Sequence, residues 1–122
     1  MWKGKFSSQN HYAEDINLAQ QVSELSQKAR TVSKDDALEV RLYNVGKFDN
    51  KKIPKEVHET TVQYIIVQQG NAMVTIKEEG KAETKLLLKE GHMTIIPMNS
   101  AHEITQYGDT ELKLISIYSE RK

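Results

Sequence analysis

The chain has 122 residues, with 17 Lys plus Arg against 17 Asp plus Glu, and no cysteine. That length fits one domain, and zero net charge leaves no basic excess for wrapping phosphates, so nucleic-acid binding is not expected. Without cysteine there are no disulfides, thiolate nucleophiles, iron–sulfur clusters or Cys-type zinc sites, and any metal must be held by nitrogen and oxygen. No apolar run approaches the roughly 20 residues of a membrane span. The start MWKGKFSSQN lacks the apolar stretch of a signal peptide. A cytoplasmic protein without membrane contact is the expectation.

The first 33 residues differ in texture from the rest. Leu18, Val22, Leu25, Ala29 and Val32 recur at steps of 4, 3, 4 and 3, one stripe on a helix. Asp15 and Asn17 are good N-caps, Gln20 stands in the capping-box position, and Lys28 and Arg30 would favour the C-terminal end of the dipole. The spacing predicts an amphipathic helix over 17–31 behind a polar arm that contains Trp2 and His11. Its stripe must pack on the chain's own sheet or on a partner, and the first is favoured. The division is therefore 1–33 for arm and helix, and 34–122 for a β domain.

From residue 34 onward, short runs rich in Val, Ile, Leu, Thr and Tyr alternate with turn signals. Residues 38–42 alternate with period two, and Asp49-Asn50 marks a polar turn. A strong strand covers 62–68, and Gly70-Asn71 suits a hairpin to a return strand at 72–77. A tip at 78–81, a strand at 84–88, a turn at 89–91, and strands at 93–97, 101–106 and 111–118 complete the set. About eight short strands with no second helix argue for an antiparallel sandwich or closed barrel. Tyr107, Tyr118, Met73 and Met93 read as core or rim residues.

Among four histidines, His11 and His92 sit in polar surroundings and read as solvated. His58 and His102 stand out by their neighbours. In KEVHETTVQYIIVQQG, Glu56 and His58 leave the same face if the segment is extended. Gln63 shares a face with Ile65 and Val67, as a polar tip over a core. In GHMTIIPMNSAHEITQ, His102 shares a face with Ile104 and Gln106.

These two segments resemble the paired motifs of the cupin superfamily, which read Gly-x5-His-x-His-x3–4-Glu-x6-Gly and Gly-x5-Pro-x-Gly-x2-His-x3-Asn. The first falls on Asn50, Glu56, His58, Gln63 and Gly70, the second on Gly91, Pro97, Asn99, His102 and Gln106, with every spacing kept. The tail is similar to small single-domain cupins of the mannose-6-phosphate isomerase type. The resemblance implies an all-β, antiparallel double-stranded β-helix or jelly-roll barrel, here with an N-terminal α-helix. It implies one divalent metal ion (Zn, Mn, Fe, Ni or Co) held by Glu56, His58, Gln63 and His102. Two motif glycines are asparagine, the residue that best tolerates positive φ after glycine. One motif histidine is Glu56 and the motif glutamate is Gln63, so the ligand set keeps its net charge but includes a neutral amide. The other reading is that His58, His102 and Gln63 form a hydrogen-bonded polar cluster in the barrel mouth.

The function expected from the resemblance is metal-assisted isomerisation or epimerisation of a small polar molecule, a sugar or a hydroxy or keto acid. Glu56 is the candidate base if it is not a ligand. An iron ion would open dioxygenase chemistry instead. The alternatives are a non-catalytic ligand-binding barrel and a structural homodimer paired through Tyr64 and Ile66. Ile65, Val67 and Ile104 are expected to line an apolar cavity beneath the ion.

Overall fold

The computed structural model describes residues 14–121, so Trp2, His11 and the polar arm fall outside it. Among the described residues one α-helix, α1 (Leu18–Ser23), is followed by nine strands, with two 3-10 turns between the second and third: β1 (Ala29–Lys34), β2 (Leu38–Asn44), β3 (Lys52–Val57), β4 (Thr61–Gln69), β5 (Ala72–Glu78), β6 (Thr84–Leu88), β7 (Met93–Ile96), β8 (Ser100–Gln106) and β9 (Lys113–Glu120). They form two antiparallel sheets, ordered β1-β2-β9-β4-β7 and β3-β8-β5-β6. This is the expected all-β jelly-roll barrel with a short N-terminal helix.

The helix begins as the sequence indicates, with Asn17 Oδ1 accepting from the Gln20 N–H at 3.0 Å. Gln20 does not complete the capping box; its amide turns to Glu24 at 3.5 Å. The helix also stops eight residues short of the predicted end. Ala29 and Val32 continue the helical spacing but belong to β1, where Ala29 lies opposite Tyr43 and Lys34 opposite Glu39. Backbone pairing with β2 outweighs the modest helix propensity of Arg-Thr-Val-Ser. Val22 and Leu25 do bury as predicted, against Leu42 and Ile115 on the outer face of the five-stranded sheet. Ile66 packs on the same cluster, so of the two residues expected to form a dimer face, Tyr64 and Ile66, one is covered from within the chain.

A second difference concerns connectivity. Gly70 has φ +81, as a tight turn requires, but it does not close a hairpin. β4 pairs with β7 and β9, whereas β5 pairs with β6 and β8, so the 70–71 turn carries the chain from one sheet to the other. A Cβ at Gly70 would come within 3.0 Å of the Thr110 carbonyl oxygen, so close packing as well as φ calls for glycine there.

The interior is layered along the barrel. At the closed end Val45, Ile65, Val67, Val74, Ile104, Leu112 and Leu114 are at most 1% exposed and form the core between the sheets. Ile65, Val67 and Ile104 are thus packing residues and not the walls of an apolar cavity. Period two places them inward correctly, but facing side chains from the other sheet fill the space. Tyr107 and Met93, read as core or rim, are 52% and 54% exposed.

Candidate metal centre

Above this core the inward positions turn polar. Ile53 on β3 faces Ile104 on β8, and the next pair along the ladder is Glu56 with His102. Three steps on β3 therefore match two on β8. The extra residue is a bulge beside Pro54, which lacks a ladder N–H and sits on an edge strand, where proline is tolerated. Strict alternation from the buried Ile53 would aim Lys55 and Val57 inward. The bulge rephases the strand, leaving Val57 53% exposed and putting Glu56 opposite His102. His58 follows directly after the strand, and its carbonyl accepts the Asn99 N–H at 2.8 Å. That bond ties the two motifs together.

Asn50 and Asn99 take φ of +58 and +61, so both asparagines at motif-glycine positions adopt the left-handed turn. Asn99→Gly should leave stability unchanged or raise it, while Asn99→Val should cost about 1–2 kcal/mol in a urea unfolding titration, because a β-branched residue resists that region.

One ligand atom each from Glu56, His58 and His102 lies within 4.8 Å of the others, so the three form a cluster that could hold a metal ion. The imidazole centroids are 5.1 Å apart. Glu56 is exposed, His58 half-buried and His102 2% exposed. Gln63, also 2% exposed, stands opposite Tyr118 on β9, and the Tyr118 ring lies edge-on to His58 at 5.6 Å. The Gln63 amide N–H groups are given to Ser116 Oγ at 2.7 Å and Tyr118 Oη at 3.3 Å. His58 Nε2, His102 Nε2 and Gln63 Oε1 are buried and accept or donate no hydrogen bond. Among the described residues one further buried side-chain atom shares that condition, Asn44 Oδ1, whose amide instead serves the Leu25 carbonyl under the helix. Buried polar atoms without partners are costly, and two imidazoles, each with an unpartnered Nε2, clustered with one carboxylate suit a cation better than a self-satisfied hydrogen-bond cluster.

Burial pulls the His102 pKa below the ordinary histidine value; the Ser100 carbonyl, 3.5 Å from Nδ1, opposes the shift, His58 adds to it, and Glu56 opposes it. A depressed histidine pKa means that the unfolded chain binds more protons than the folded one below about pH 6.5. Stability of the metal-free protein should therefore be full above that pH and fall as the pH drops towards the folded-state pKa. Urea midpoints at pH 7.5 and 5.5 should show the decline, and His102→Gln should show a shallower one.

Sequence reasoning missed the chain of side chains behind the cluster. Tyr118 Oη and Tyr43 Oη are 2.6 Å apart, Arg41 Nη1 donates to Tyr43 Oη at 2.9 Å, and Arg41 Nε and Nη2 donate to Glu39 at 3.0 and 2.6 Å. The guanidinium carbon lies 5.8 and 5.5 Å from the two tyrosine rings. Burial alone would lower the Arg41 pKa, but the bonds to Glu39 and Tyr43 win and raise it. Burial, with Tyr43 beside it, raises the Tyr118 pKa, so its phenol keeps its proton. Glu39, Arg41 and Tyr43 are alternate residues of β2, whose other face carries Val40 and Leu42; that two-faced pattern was the available signal.

A pocket of about 270 Å³ opens over the cluster, lined by Glu56, His58, Tyr118, Arg41, Thr61 and the β1–β2 turn, among others. No helix among the described residues is long and apolar enough to cross a membrane.

Residues 9–121 match the model of the family described as mannose-6-phosphate isomerase C-terminal. Among solved structures, a Bacillus halodurans protein, BH2720, superposes with a TM-score of 0.81 at 20% identity, covering 91% of this chain and 83% of that one. The Schizosaccharomyces pombe Cnp3 cupin domain gives 0.66 at 15% identity, covering 80% and 68%. A cupin-2 domain containing protein from Shewanella frigidimarina gives 0.63 at 20% identity, covering 86% and 94%. At these identities the likeness carries the fold. Among curated proteins none matches the chain.

Proposed function

We propose that this chain, which belongs to the mannose-6-phosphate isomerase C-terminal family and folds as a small cupin, binds one divalent cation through Glu56, His58, His102 and Gln63. It acts there on a small polar molecule, a sugar or a hydroxy or keto acid, by isomerisation or epimerisation. The observation that carries this reading is the convergence of Glu56, His58 and His102 within 4.8 Å, with His58 Nε2 and His102 Nε2 buried and unpartnered; Gln63 Oε1, the fourth expected ligand, is also buried and unpartnered. Two imidazoles, a carboxylate and an amide oxygen suit Zn, Mn, Fe, Ni or Co. A cation bound there would supply Lewis acidity, polarising a substrate carbonyl or hydroxyl oxygen.

The chain's own groups divide the remaining work. Glu56 is the carboxylate at the pocket surface, placed to take a proton from a carbon next to the polarised oxygen when it is not itself a ligand. Tyr118 presents a protonated phenol in the pocket wall, held by Tyr43 and Gln63, and can donate a hydrogen bond to a substrate oxygen. The core below closes the site on the inner side, leaving the mouth as the route of entry.

A second reading, binding without turnover, is favoured by one observation: Glu56 is both the candidate base and a member of the cation cluster. Elemental analysis of the purified full chain, followed by solvent deuterium exchange into bound sugars and hydroxy or keto acids, separates the two. One equivalent of metal with carbon-bound exchange supports the enzyme. Metal without exchange supports the binding module, and no metal uptake under any loading condition overturns both. As a homodimer, the barrel would pair through the outer face of β7, where Met93 and Ile95 are half exposed and Ile95 lies opposite Tyr64. Light scattering on the wild type and on a Met93→Lys, Ile95→Lys double variant tests that arrangement.

A further inference from the structure

The hydrogen bonds that run from Arg41 to the pocket have a direction, set by which groups along them can only donate. A guanidinium only donates. Arg41 is clamped by Glu39, which accepts from Nε at 3.0 Å and Nη2 at 2.6 Å and takes the Thr31 hydroxyl at 3.2 Å as well. Nη1 is thereby aimed at Tyr43 Oη, 2.9 Å away. Tyr43 is 7% exposed, so its own hydroxyl hydrogen needs an acceptor inside the protein. Among the described residues the oxygen within its reach is Tyr118 Oη, at 2.6 Å. Tyr118 Oη also takes a Gln63 N–H at 3.3 Å, and Ser116, whose Oγ already accepts from the same amide at 2.7 Å, hydrogen-bonds the same phenol. Were the Tyr118 hydrogen to point back at Tyr43, the Tyr43 hydrogen would be buried without a partner, the costly case. With Tyr43 donating to Tyr118, the Tyr118 hydrogen instead faces the pocket that its side chain lines. The Tyr118 ring stands edge-on to His58 at 5.6 Å, so this hydrogen emerges beside the cation cluster.

From this we infer that Arg41 and Tyr43 are positioning residues that turn the Tyr118 O–H into the pocket, where it binds an acceptor oxygen of the ligand beside the cation cluster. The inference rests on the cation site proposed above and adds to it a direction and two residues. Tyr118, whose lone pairs are taken from within, offers the ligand a donor and nothing else. Hydrogen bonds in such a chain polarise one another, so each donor received makes the next hydroxyl a better donor. The ligand chemistry that fits is a molecule with two neighbouring oxygens, one for the cluster and one acceptor for Tyr118. A hydroxy or keto acid has that pair, and so does a sugar at its carbonyl end. Glu39 acts at one further remove, since it holds the guanidinium that Tyr43 leans on.

Proton NMR of the full chain with isotope-labelled tyrosine reads the direction with no ligand present. The expected result is a solvent-protected hydroxyl proton that correlates with the Tyr43 ring, while the Tyr118 hydroxyl exchanges with water. A protected hydroxyl proton on Tyr118 instead overturns the inference. Arg41→Lys keeps the charge but loses the fork, and should let the Tyr43 hydroxyl proton exchange faster; an unchanged signal overturns the role given to Arg41. The second arm titrates the Zn(II)-loaded chain with glycolate, pyruvate and glucose by calorimetry. Tyr118→Phe should weaken at least one of them about tenfold, the worth of one hydrogen bond, and Tyr43→Phe, which leaves the phenol in place without its director, about threefold. Zn(II) affinity, measured in parallel, should change by less than about twofold in either variant, since neither hydroxyl is a ligand. A panel in which no member binds the wild type more tightly than Tyr118→Phe overturns the inference. A chain that takes up Zn(II) but shows the opposite hydroxyl direction sinks this inference alone, while a chain that takes up no ion sinks the cation reading beneath it.

Discussion

His102→Ala should lower divalent-cation affinity at least about 100-fold, because ligand loss exceeds the 10–100-fold typical of removing a mere supporting group. The imidazole is 2% exposed, stands opposite Glu56 across the β3–β8 ladder, and has an Nε2 with no protein partner. Removing it deletes one of the three proposed ligands of the cluster and leaves an acid facing a void. His58→Ala should act similarly, and Gln63→Leu more weakly, since a neutral amide oxygen binds a cation less strongly than an imidazole. His92→Ala, in an exposed turn, is the control and should change nothing. Competition titrations against a chromophoric chelator with Zn(II) and Mn(II) measure each value. Unchanged affinity in both His102→Ala and His58→Ala, in folded protein, would remove the basis of the functional proposal.

Ile65→Ala should lower unfolding free energy by about 2–5 kcal/mol, the range for deleting a buried branched side chain and leaving a cavity. Ile65 is 0% exposed, on the inward face of β4 between Gln63 and Val67. Domains of this kind are stable by only about 5–15 kcal/mol, so the loss is a large share of the whole. Ile65→Val should cost about 1 kcal/mol, and the ratio of the two distinguishes a packed core from a loosely filled cavity. Urea midpoints at pH 7.5 are the measurement. A small effect for the alanine variant would mean that the space beneath the cluster is open after all.

Period-two alternation was enough to assign the inward faces of β4 and β8, so Gln63, Ile65, Val67, His102 and Ile104 were placed correctly from the chain alone. The kept spacings of the paired motifs were enough to nominate Glu56, His58 and His102 as a cluster. The failures share one physical cause, the dependence of local conformation on distant partners. Ala29 and Val32 carry helical spacing, yet β2 claims them through its backbone. Gly70-Asn71 has the residues of a hairpin turn, but a positive φ says how sharply the chain bends and not which strand it will then meet. Arg41 reads as an ordinary member of the alternating run at 38–42, and Tyr43 beside it carries no signal of its own. Their meaning depends on Tyr118, 75 positions from Tyr43, whose hydroxyl is 2.6 Å away. Ile65, Val67 and Ile104 were assigned the right direction and the wrong role, since a pattern tells which way a side chain points and not whether anything meets it there.

The bulge beside Pro54 makes residue count a determinant of ligand identity. A deletion of Lys55 would let β3 fall back into regular phase with β8 while Glu56 moved into the place opposite His102 by a different route, and an insertion there would swing the carboxylate towards solvent. In a lineage of such barrels, gain of a single codon at this edge would therefore take the carboxylate out of the cluster without disturbing the core, while loss of one would keep it, a shorter evolutionary path than replacing cluster residues one at a time.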